Sequence, residues 1–425
     1  MRAALTERRF IGWLVGSALA LAALVALVNA GIDPFLVFGR GRIVGLNDIK
    51  PAVASHEPLL KAYLAARAAP HTVIMGSSRS GIGIRPDSAA WPVSALPVHN
   101  LSVVGTDLGQ QMRYLQLLAE RAEQPARPKR LLVGLDFESF LLSADELRRP
   151  PAALDEQQVR LAALAAPGTI RQWQWLKDAV MATVTLDAFT ASVSTVAASV
   201  SRQGNDLSEA GRTSEWQFRT WVAADGAYKS FEQKLGLSAR QLGRVRLSLG
   251  DAGEPVRGLR DVRALLAWGQ RNGAAVSLVI QPSHASHLLL LDGLGYWPAY
   301  EAWKRAVVLE VARAQALGAQ AEVWDFGGFE TQFAEPVLPK SRAALQWFWD
   351  PVHYSSSLGD LIIASTQGRV DMPQLASQPL TPGSLTTRLA EVREQMARYR
   401  QANPALVEDI AKLLPKATTA QLRLP

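Results

Sequence analysis

The 425-residue sequence contains no cysteine. Disulfide bonds, thiolate metal ligands and a cysteine nucleophile are therefore excluded, because each requires that side chain. Charged residues are few and nearly balanced, with 45 Lys and Arg residues and 38 Asp and Glu residues. The basic residues are scattered along the sequence and form no stripe. This pattern gives no support to nucleic-acid binding. With 48% hydrophobic residues, the chain instead has the composition of a packed globular protein.

Charged residues are missing altogether from Phe10 to Ile32. A membrane-spanning helix needs about 20 apolar residues, so we predict a cytoplasmic tip and transmembrane anchor over residues 1–32. Arginines precede the apolar run, and the positive-inside rule then places the N-terminus in the cytoplasm. A signal peptide cleaved after Ala30 is the alternative, although signal-peptide cores are usually only about 7–15 residues long. Both interpretations export the rest of the chain, and we predict a single-pass inner-membrane protein with a periplasmic globular domain.

The remaining chain is predicted to contain a juxtamembrane connector (33–69), a main domain (70–375) and a C-terminal helical tail (376–425). Helical patterns in the main domain alternate with short apolar runs that are bounded by turn residues. This alternation predicts a three-layer α/β fold with about five parallel strands. The five runs cover residues 71–75, 97–101, 130–136, 274–280 and 321–326.

Residues from about 139 to 256 separate the third and fourth runs, which is far more chain than one crossover helix requires. We interpret them as a large, mostly helical insertion that could cap a site or bind a partner. Residues 181–201 are rich in Ala, Ser, Thr and Val. A second transmembrane helix is the less favoured interpretation, because Asp187 interrupts this stretch.

The first apolar run leads directly into Gly-Ser-Ser-Arg-Ser-Gly at residues 76–81. In parallel sheets, ligands bind beyond the carboxyl ends of the strands, so these residues are predicted to lie at the functional edge. A serine there can expose its hydroxyl while neighbouring backbone N–H groups point toward a developing oxyanion. The alternative is a βα turn in which a serine only caps the next helix.

A second motif, Asp350-Pro-Val-His353, lies near the end of the main domain. An Asp three residues before a His can accept a hydrogen bond from its Nδ1, which leaves Nε2 free as a general base. A chance pairing in a surface loop is the alternative.

Taken in this order, the two motifs resemble the SGNH (GDSL-like) hydrolase superfamily, over about residues 70–364 without the insertion. The resemblance implies a flavodoxin-like SGNH fold and a catalytic triad of Ser78, His353 and Asp350. Ser77 stands where the superfamily usually has Asp. This altered block resembles a membrane-anchored branch of envelope polysaccharide O-acyltransferases and esterases that includes the teichoic-acid D-alanylation protein.

The same resemblance implies an oxyanion hole formed by the backbone N–H groups of Ser78 and Gly105. Asp136 stands where the superfamily has an Asn donor, and an ionised Asp cannot donate a hydrogen bond. We conjecture that Asn100 supplies the missing amide.

Four further polar residues are candidate substrate-binding residues at the predicted edge: Arg79, Asp136, His284 and Asp325. Arg79 is predicted either to hold an anionic substrate or to form a local ion pair. His284 and its neighbour His287 could contact substrate or a metal, but a hydrogen-bonded loop role is favoured. For Asp325 the alternative is a turn-forming role. We assign no metal site and no cofactor.

The resemblance and the anchor together imply an ester hydrolase or O-acyltransferase that forms an acyl-enzyme on Ser78. Its substrates would be an acyl donor with a polysaccharide acceptor, or an ester, in the cell envelope or on exported polysaccharide. A partner from envelope biosynthesis is also implied. The alternative is a catalytically degenerate accessory or binding component of a polysaccharide assembly complex, which Asp136 and the large insertion motivate.

Overall fold

The computed structural model describes residues 2–121, 127–148, 154–244, 247–250, 257–376 and 378–415. The strands are β1 (Thr72–Met75), β2 (Val98–Asn100), β3 (Arg130–Leu135), β4 (Leu142–Ser143), β5 (Leu247–Ser248), β6 (Ala275–Ile280) and β7 (Ala321–Asp325). The helices are α1 (Arg2–Ile32), α2 (Val53–Arg67), α3 (Ser78–Gly83), α4 (Leu108–Arg121), α5 (Ala144–Arg148), α6 (Glu156–Ala165), α7 (Thr169–Val184), α8 (Leu186–Ser201), α9 (Trp216–Asp225), α10 (Ala227–Gly243), α11 (Arg257–Asn272), α12 (Ala285–Gly293), α13 (Trp297–Ala316), α14 (Ser356–Thr366), α15 (Pro382–Ala402) and α16 (Pro404–Leu413).

A five-stranded sheet in the order β2-β1-β3-β6-β7 forms the centre of the main domain, and every strand pair in it is parallel. The predicted α/β class with five parallel strands is therefore confirmed. β4 and β5 form a separate antiparallel pair. All four residues of β1 are buried, as expected of a parallel strand covered on both faces.

Successive side chains of the central strands enter two different hydrophobic clusters. Val73 and Val133 belong to the larger cluster, whereas Ile74 and Leu132 belong to the smaller one. Because neighbouring side chains of a strand point to opposite faces, the two clusters lie on opposite sides of the sheet. The larger cluster also takes apolar residues from α2, α4, α11 and α13, and the smaller one takes residues from α14.

A close approach of α3 and α14 joins two distant parts of the chain. A Cβ atom on Gly359 would overlap the carbonyl oxygen of Gly83, and one on Gly83 would overlap the ring of Tyr354. Only glycine therefore fits at these two positions without displacing a neighbour. Since α14 follows the Asp350–His353 motif and α3 begins at Ser78, this contact brings the two motifs together.

The long segment between β3 and β6 contains α5 to α11. Helices α5 to α10 belong to the predicted insertion, which is mostly helical, as predicted. Its predicted end, within 251–256, lies outside the described residues. The apolar stretch that includes Asp187 belongs to two helices, α7 and α8, which meet at Thr185 with a 68° bend. In the predicted tail, α15 and α16 are separated at Asn403, while residues 377 and 416–425 lie outside the described residues. The domain boundaries stay predictions.

The N-terminal segment forms one continuous helix, α1. Its residues Arg9–Ile32 are long and apolar enough to cross a membrane, with a mean hydropathy of 2.4. Most side chains of this stretch are exposed, but Asn29 and Ile32 near its end are buried, and the helix contacts α7 and α8.

Candidate active site

Ser78, His353 and Asp350 form one hydrogen-bonded chain. The Oγ atom of Ser78 lies 2.8 Å from Nε2 of His353, and Nδ1 of His353 lies 2.7 Å from Oδ2 of Asp350. Both distances are within the range expected of a nucleophile, a base and a group that orients the base. The structure thus brings the three predicted residues together in the predicted order.

The carboxylate of Asp350 is fixed by the backbone as well as by His353. Its Oδ1 atom accepts hydrogen bonds from the N–H groups of Val352 (2.8 Å) and His353 (2.9 Å). Burial alone would raise the pKa of Asp350, but the charge and the hydrogen bond of His353 outweigh burial and lower this pKa to about 2. An ionised Asp350 accepts the Nδ1–H bond of His353, which leaves the Nε2 lone pair directed at Ser78.

The adjacent serines Ser77 and Ser78 have different roles, one as a helix cap and one as the candidate nucleophile. Ser77 is the N-cap of α3, and its side chain accepts a hydrogen bond from the N–H of Arg79 at 3.3 Å. A serine is a favoured N-cap because its oxygen satisfies a free N–H in the first turn. The capping role therefore belongs to Ser77, and the hydroxyl of Ser78 faces His353.

A cleft of about 1090 Å³ opens beside the Ser78 hydroxyl. It lies at the carboxyl ends of the sheet strands, since Ser77 follows β1 and Asp136 follows β3. Helices α9 and α10 of the insertion contribute to its lining, including Phe218 and Lys234. The ring centroid of Phe218 is 5.0 Å from that of His353. The insertion therefore covers part of the site, and sequence reasoning could not name these residues because they belong to no motif.

Gly105 lies in the cleft lining with a φ of 70°, a backbone conformation that favours glycine. The neighbouring N–H of Val104 donates to Oε2 of Glu57 at 2.8 Å. Oε1 of Glu57 in turn accepts a hydrogen bond from Thr213 at 2.7 Å. This bracing holds the Gly105 loop beside the cleft, where its predicted role as an oxyanion donor stays a prediction.

The conjectured role of Asn100 as an oxyanion donor is wrong. Its side chain is fully buried, and its Nδ2 atom donates to the carbonyl oxygens of Ser80 (2.9 Å) and Ile84 (3.0 Å). Its Oδ1 atom accepts from the N–H of Ser102 at 3.0 Å. Since both amide hydrogens are engaged, Asn100 supports the α3 turn and has no hydrogen to offer a substrate.

Of the two roles predicted for Arg79, the structure shows the local ion pair. Its Nε atom lies 3.2 Å from Asp136, and its Nη2 atom lies 3.3 Å from Glu138. Its Nη1 atom donates to Ser283 at 3.0 Å. Burial acts to lower the pKa of Arg79, but the two carboxylates raise it above its ordinary value. Arg79 is therefore a buried cation that neutralises an acidic pair in the wall of the cleft, which Arg79 itself also lines.

Asp136 lines the cleft, but its Oδ1 atom is already bound on the protein side. It accepts a hydrogen bond from Nε2 of Gln281 at 2.9 Å, in addition to the contact with Arg79. Burial raises the pKa of Asp136 above its ordinary value despite the charge of Arg79. Oε1 of Gln281 accepts from Ser80 and Tyr354, both at 2.9 Å. Sequence reasoning missed Gln281, although it follows β6 at the same edge of the sheet.

His284 does not contact the cleft, so its predicted substrate-binding role is wrong. It is the N-cap of α12, with Nδ1 bonded to Ser286 and Nε2 2.8 Å from the carbonyl oxygen of Glu335. Burial lowers the pKa of His284 to about 4. The residue is therefore a neutral structural histidine, which is the alternative that the sequence favoured.

Asp325 is likewise a structural residue, which corrects its assignment to substrate binding. Its carboxylate lies 2.8 Å from Nζ of Lys304 and 3.3 Å from Nε of Arg388, and it accepts the N–H of Gly327. Burial would raise the pKa of Asp325, but the two cations lower it below its ordinary value. The group lies within the protein and outside the described lining of the cleft.

His287, one turn along α12, does line the cleft. Its Nε2 atom lies 2.6 Å from Oε1 of Glu138, a residue that sequence reasoning did not single out. Burial would raise the pKa of Glu138, but Arg79 and His287 together lower it below its ordinary value. Glu138 therefore links His287 to Arg79 in the wall of the cleft.

No protein-family model matches the chain, and searches of curated proteins and of solved structures yield no match either. Among the described residues, no group of three or more His, Asp or Glu side chains is arranged to hold a metal ion.

Proposed function

We propose that the protein is an SGNH-type ester hydrolase or O-acyltransferase with Ser78 as its nucleophile. The observation that carries this proposal is the hydrogen-bonded chain Asp350–His353–Ser78 beside a cleft at the carboxyl edge of a parallel sheet. The sequential order of the motifs and the five-stranded parallel sheet support the SGNH fold, which remains part of the proposal.

The proposed reaction begins with attack of Ser78 Oγ on an ester carbonyl carbon, while Nε2 of His353 takes the hydroxyl proton. The resulting imidazolium is stabilised by the carboxylate of Asp350, whose low pKa keeps it ionised. The tetrahedral intermediate then collapses as the ester C–O bond breaks, and Nε2 of His353 returns the proton to the departing alkoxide. Water or a sugar hydroxyl next attacks the Ser78 ester by the same proton route, which regenerates the serine.

The oxyanion of the tetrahedral intermediate would be stabilised by the backbone N–H groups of Ser78 and Gly105. Preorganised donors of this kind contribute about 3–4 kcal/mol each to lowering the barrier. The bracing of the Gly105 loop by Glu57 favours a preformed geometry.

The proposed substrate is an envelope or exported polysaccharide, or an ester carried on one. The cleft of about 1090 Å³ is larger than is needed for a simple alkyl ester, which is consistent with an extended substrate. The choice of polysaccharide itself rests on the resemblance to membrane-anchored SGNH proteins.

We further propose that α1 is a retained inner-membrane anchor and that the catalytic domain faces the periplasm. Residues Arg9–Ile32 have the necessary length and apolarity. Asn29 is buried, and its Nδ2 atom donates to the carbonyl oxygen of Thr183 at 2.8 Å. Cleavage after Ala30 would remove this contact with the domain, so the contact favours retention.

A second candidate function is a non-catalytic binding component of a polysaccharide assembly complex. Asp136 favours it, because a carboxylate stands where the SGNH resemblance predicts an amide donor, and it is held by Arg79 and Gln281. Under this alternative the cleft would bind a saccharide without turnover.

A fluorophosphonate probe tests the proposal, since it reacts with activated serines. The full chain in vesicles should be labelled, and Ser78→Ala and His353→Ala should abolish labelling. Ser77→Ala is the matched control, because it removes the adjacent hydroxyl together with the cap of α3 and the hydrogen bond to Asp136. This variant should still be labelled.

Each outcome separates the candidates. Absence of labelling in the folded wild-type protein would favour the binding component. Labelling that persists in Ser78→Ala but disappears in Ser77→Ala would assign the nucleophile to Ser77 and overturn the proposed triad.

A further inference from the structure

Helices α7 and α8 present an unusually apolar surface to the outside of the protein. Side chains on this surface are exposed over more than a third of their area, up to 77% for Leu186. They recur at helical spacing, so that each helix has one apolar outer face. The exposed large apolar residues are Ile170, Trp173, Trp175, Leu176, Val180, Met181, Val184, Leu186, Phe189, Val193 and Val200.

In α8 the large apolar side chains lie on the outer face and small side chains on the inner face, which is the reverse of a helix in a water-soluble domain. Large apolar residues such as Leu186, Phe189 and Val193 point outward. Membrane helices pack through small residues and turn large apolar ones to lipid. The face of α8 that is turned toward the protein consists of small residues: Ala188, Ser192, Thr195, Ala198 and Ser199.

The position of the pair relative to α1 identifies what covers this surface. Asn29, near the end of α1, bonds to Thr183, near the bend between α7 and α8. The 24 residues of Arg9–Ile32 extend about 36 Å at 1.5 Å per residue, slightly more than a hydrocarbon core of about 30 Å. Since Asn29 lies three residues before the end of this stretch, the bend lies at the outer boundary of the hydrocarbon.

Hydrogen bonds from other parts of the globular domain hold α7 and α8 on the same side of the membrane as that domain. Asp178 of α7 accepts hydrogen bonds from Tyr63 (2.8 Å) and Arg160 (3.1 Å), and Ser199 of α8 accepts one from the N–H of Ile49 at 3.1 Å. Both helices are attached to the same domain and meet at a 68° bend, which favours a pair that enters one leaflet over a broken span.

The charges on α7 and α8 also fit a membrane boundary. The acidic residues of the span 169–201 are Asp178, which is buried, and Asp187, which lies 3.0 Å from Nε2 of His56. Lys177 lies over the ring of Trp173, 5.9 Å from its centroid. Tryptophan with a nearby cation is typical of the lipid–water boundary.

We propose that α7 and α8 form a membrane-embedded helical pair, which lies in the outer leaflet beside α1 and turns its apolar face to the lipid chains. The proposal rests on α1 crossing the membrane, as proposed above, and is independent of catalysis. The described cleft lining reaches Ser55, next to His56, and His56 is paired with Asp187 at the start of α8. The bilayer would therefore lie beside one end of the active-site cleft.

Because the chain has no cysteine, single-cysteine variants can be spin-labelled at one site each. Val180→Cys, Leu186→Cys and Val193→Cys report on the pair, and Leu19→Cys reports on α1. Leu317→Cys is the matched control, since Leu317 is 73% exposed against 77% for Leu186 and is the C-cap of α13. Each full-length variant is reconstituted at low protein-to-lipid ratio in vesicles of phosphatidylethanolamine and phosphatidylglycerol. Collision with oxygen, which concentrates in lipid, is then compared with collision with an aqueous nickel chelate.

The labels on α7, α8 and Leu19 should each show an oxygen-to-nickel collision ratio several times that at Leu317. A lipid-like ratio at Leu19 with water-like ratios on the pair would overturn the proposal and leave the anchor standing. Labels on the pair that are shielded from both oxygen and nickel would indicate a protein partner or a second copy, which also overturns it. A water-like ratio at Leu19 would overturn both the anchor and the embedded pair.

Discussion

Replacing Asp350 by Asn should stop catalysis while the fold remains intact. Oδ1 of Asp350 accepts two backbone N–H groups, and an amide can keep both of these bonds only if its oxygen stays there. The amide nitrogen must then face Nδ1 of His353. Because that nitrogen is a donor, Nδ1 must become the acceptor and the proton must move to Nε2. His353 would then donate to Ser78 and could not act as its base.

The expected loss follows from this tautomer change. In serine hydrolases with the same constellation, removing the orienting carboxylate costs roughly 10⁴-fold in turnover, or about 5 kcal/mol of barrier. The opposite orientation of the amide would place its nitrogen against two backbone donors, so Asp350→Asn has no inexpensive way to restore the active tautomer.

The assay measures hydrolysis of a chromogenic ester and the rate of fluorophosphonate labelling by the full chain in vesicles. Asp371→Asn is the matched control, because Asp371 is an exposed carboxylate that is paired with Arg369 at 2.7 Å. The hydrogen bond from Arg369 lowers the pKa of Asp371 to about 2, as low as that of Asp350, yet Asp371 lies outside the described cleft lining. Asp371→Asn should match the wild type in both measurements.

Activity of Asp350→Asn within about one order of magnitude of the wild type would refute the argument. It would mean that His353 does not depend on Asp350 for its tautomer. Loss of activity together with loss of the circular dichroism signal would instead show that the carboxylate is needed for folding, and the orienting role would then have no support.

Three further predictions concern stability and are measured by urea unfolding. Folding lowers the pKa of Asp350 from its ordinary value of 3.8 to about 2, which corresponds to about 2 kcal/mol of stability from the ionised carboxylate. The stability advantage of the wild type over Asp350→Asn should therefore be full above about pH 4 and be lost as the pH falls through about 2. Asn100→Ala removes the side-chain donor of the buried carbonyl oxygen of Ile84 and the acceptor of the Ser102 N–H, so it should cost about 2–3 kcal/mol and shift the urea midpoint accordingly. Lys304→Met removes one of two cations from buried Asp325, so it should cost about 3–5 kcal/mol while the specific activity of the folded protein stays unchanged.

Sequence reasoning succeeded where the signal was local and periodic. The apolar runs that predicted strands agree with β1, β2, β3, β6 and β7 to within about two residues, because strand and helix periodicity is present in each segment. Asp350 and His353 were identifiable as a pair since three residues of separation place them on one turn.

The same reasoning failed where a side chain's direction depends on distant parts of the fold. Asn100, His284 and Asp325 all lie near strand ends, as the edge rule requires. The amide of Asn100 turns back to α3, and His284 is turned inward to cap α12. Asp325 faces Lys304 on α13. No sequence pattern records which of these partners lies within reach, because the strands and their neighbouring helices meet only in the folded chain.

The large insertion connects the site with the proposed membrane surface. Its later helices, α9 and α10, bring Phe218 and Lys234 to the cleft, and its earlier helices, α7 and α8, carry the apolar face beside α1. Under the membrane proposal above, this one insertion both covers part of the active site and sets the distance of the cleft from the bilayer. Because Asn29 of α1 contacts Thr183 of α7 and His56 of α2 contacts Asp187 of α8, a cleft beside the proposed membrane surface could not turn away from it without breaking both pairs. A substrate would then reach Ser78 from the space next to the outer leaflet.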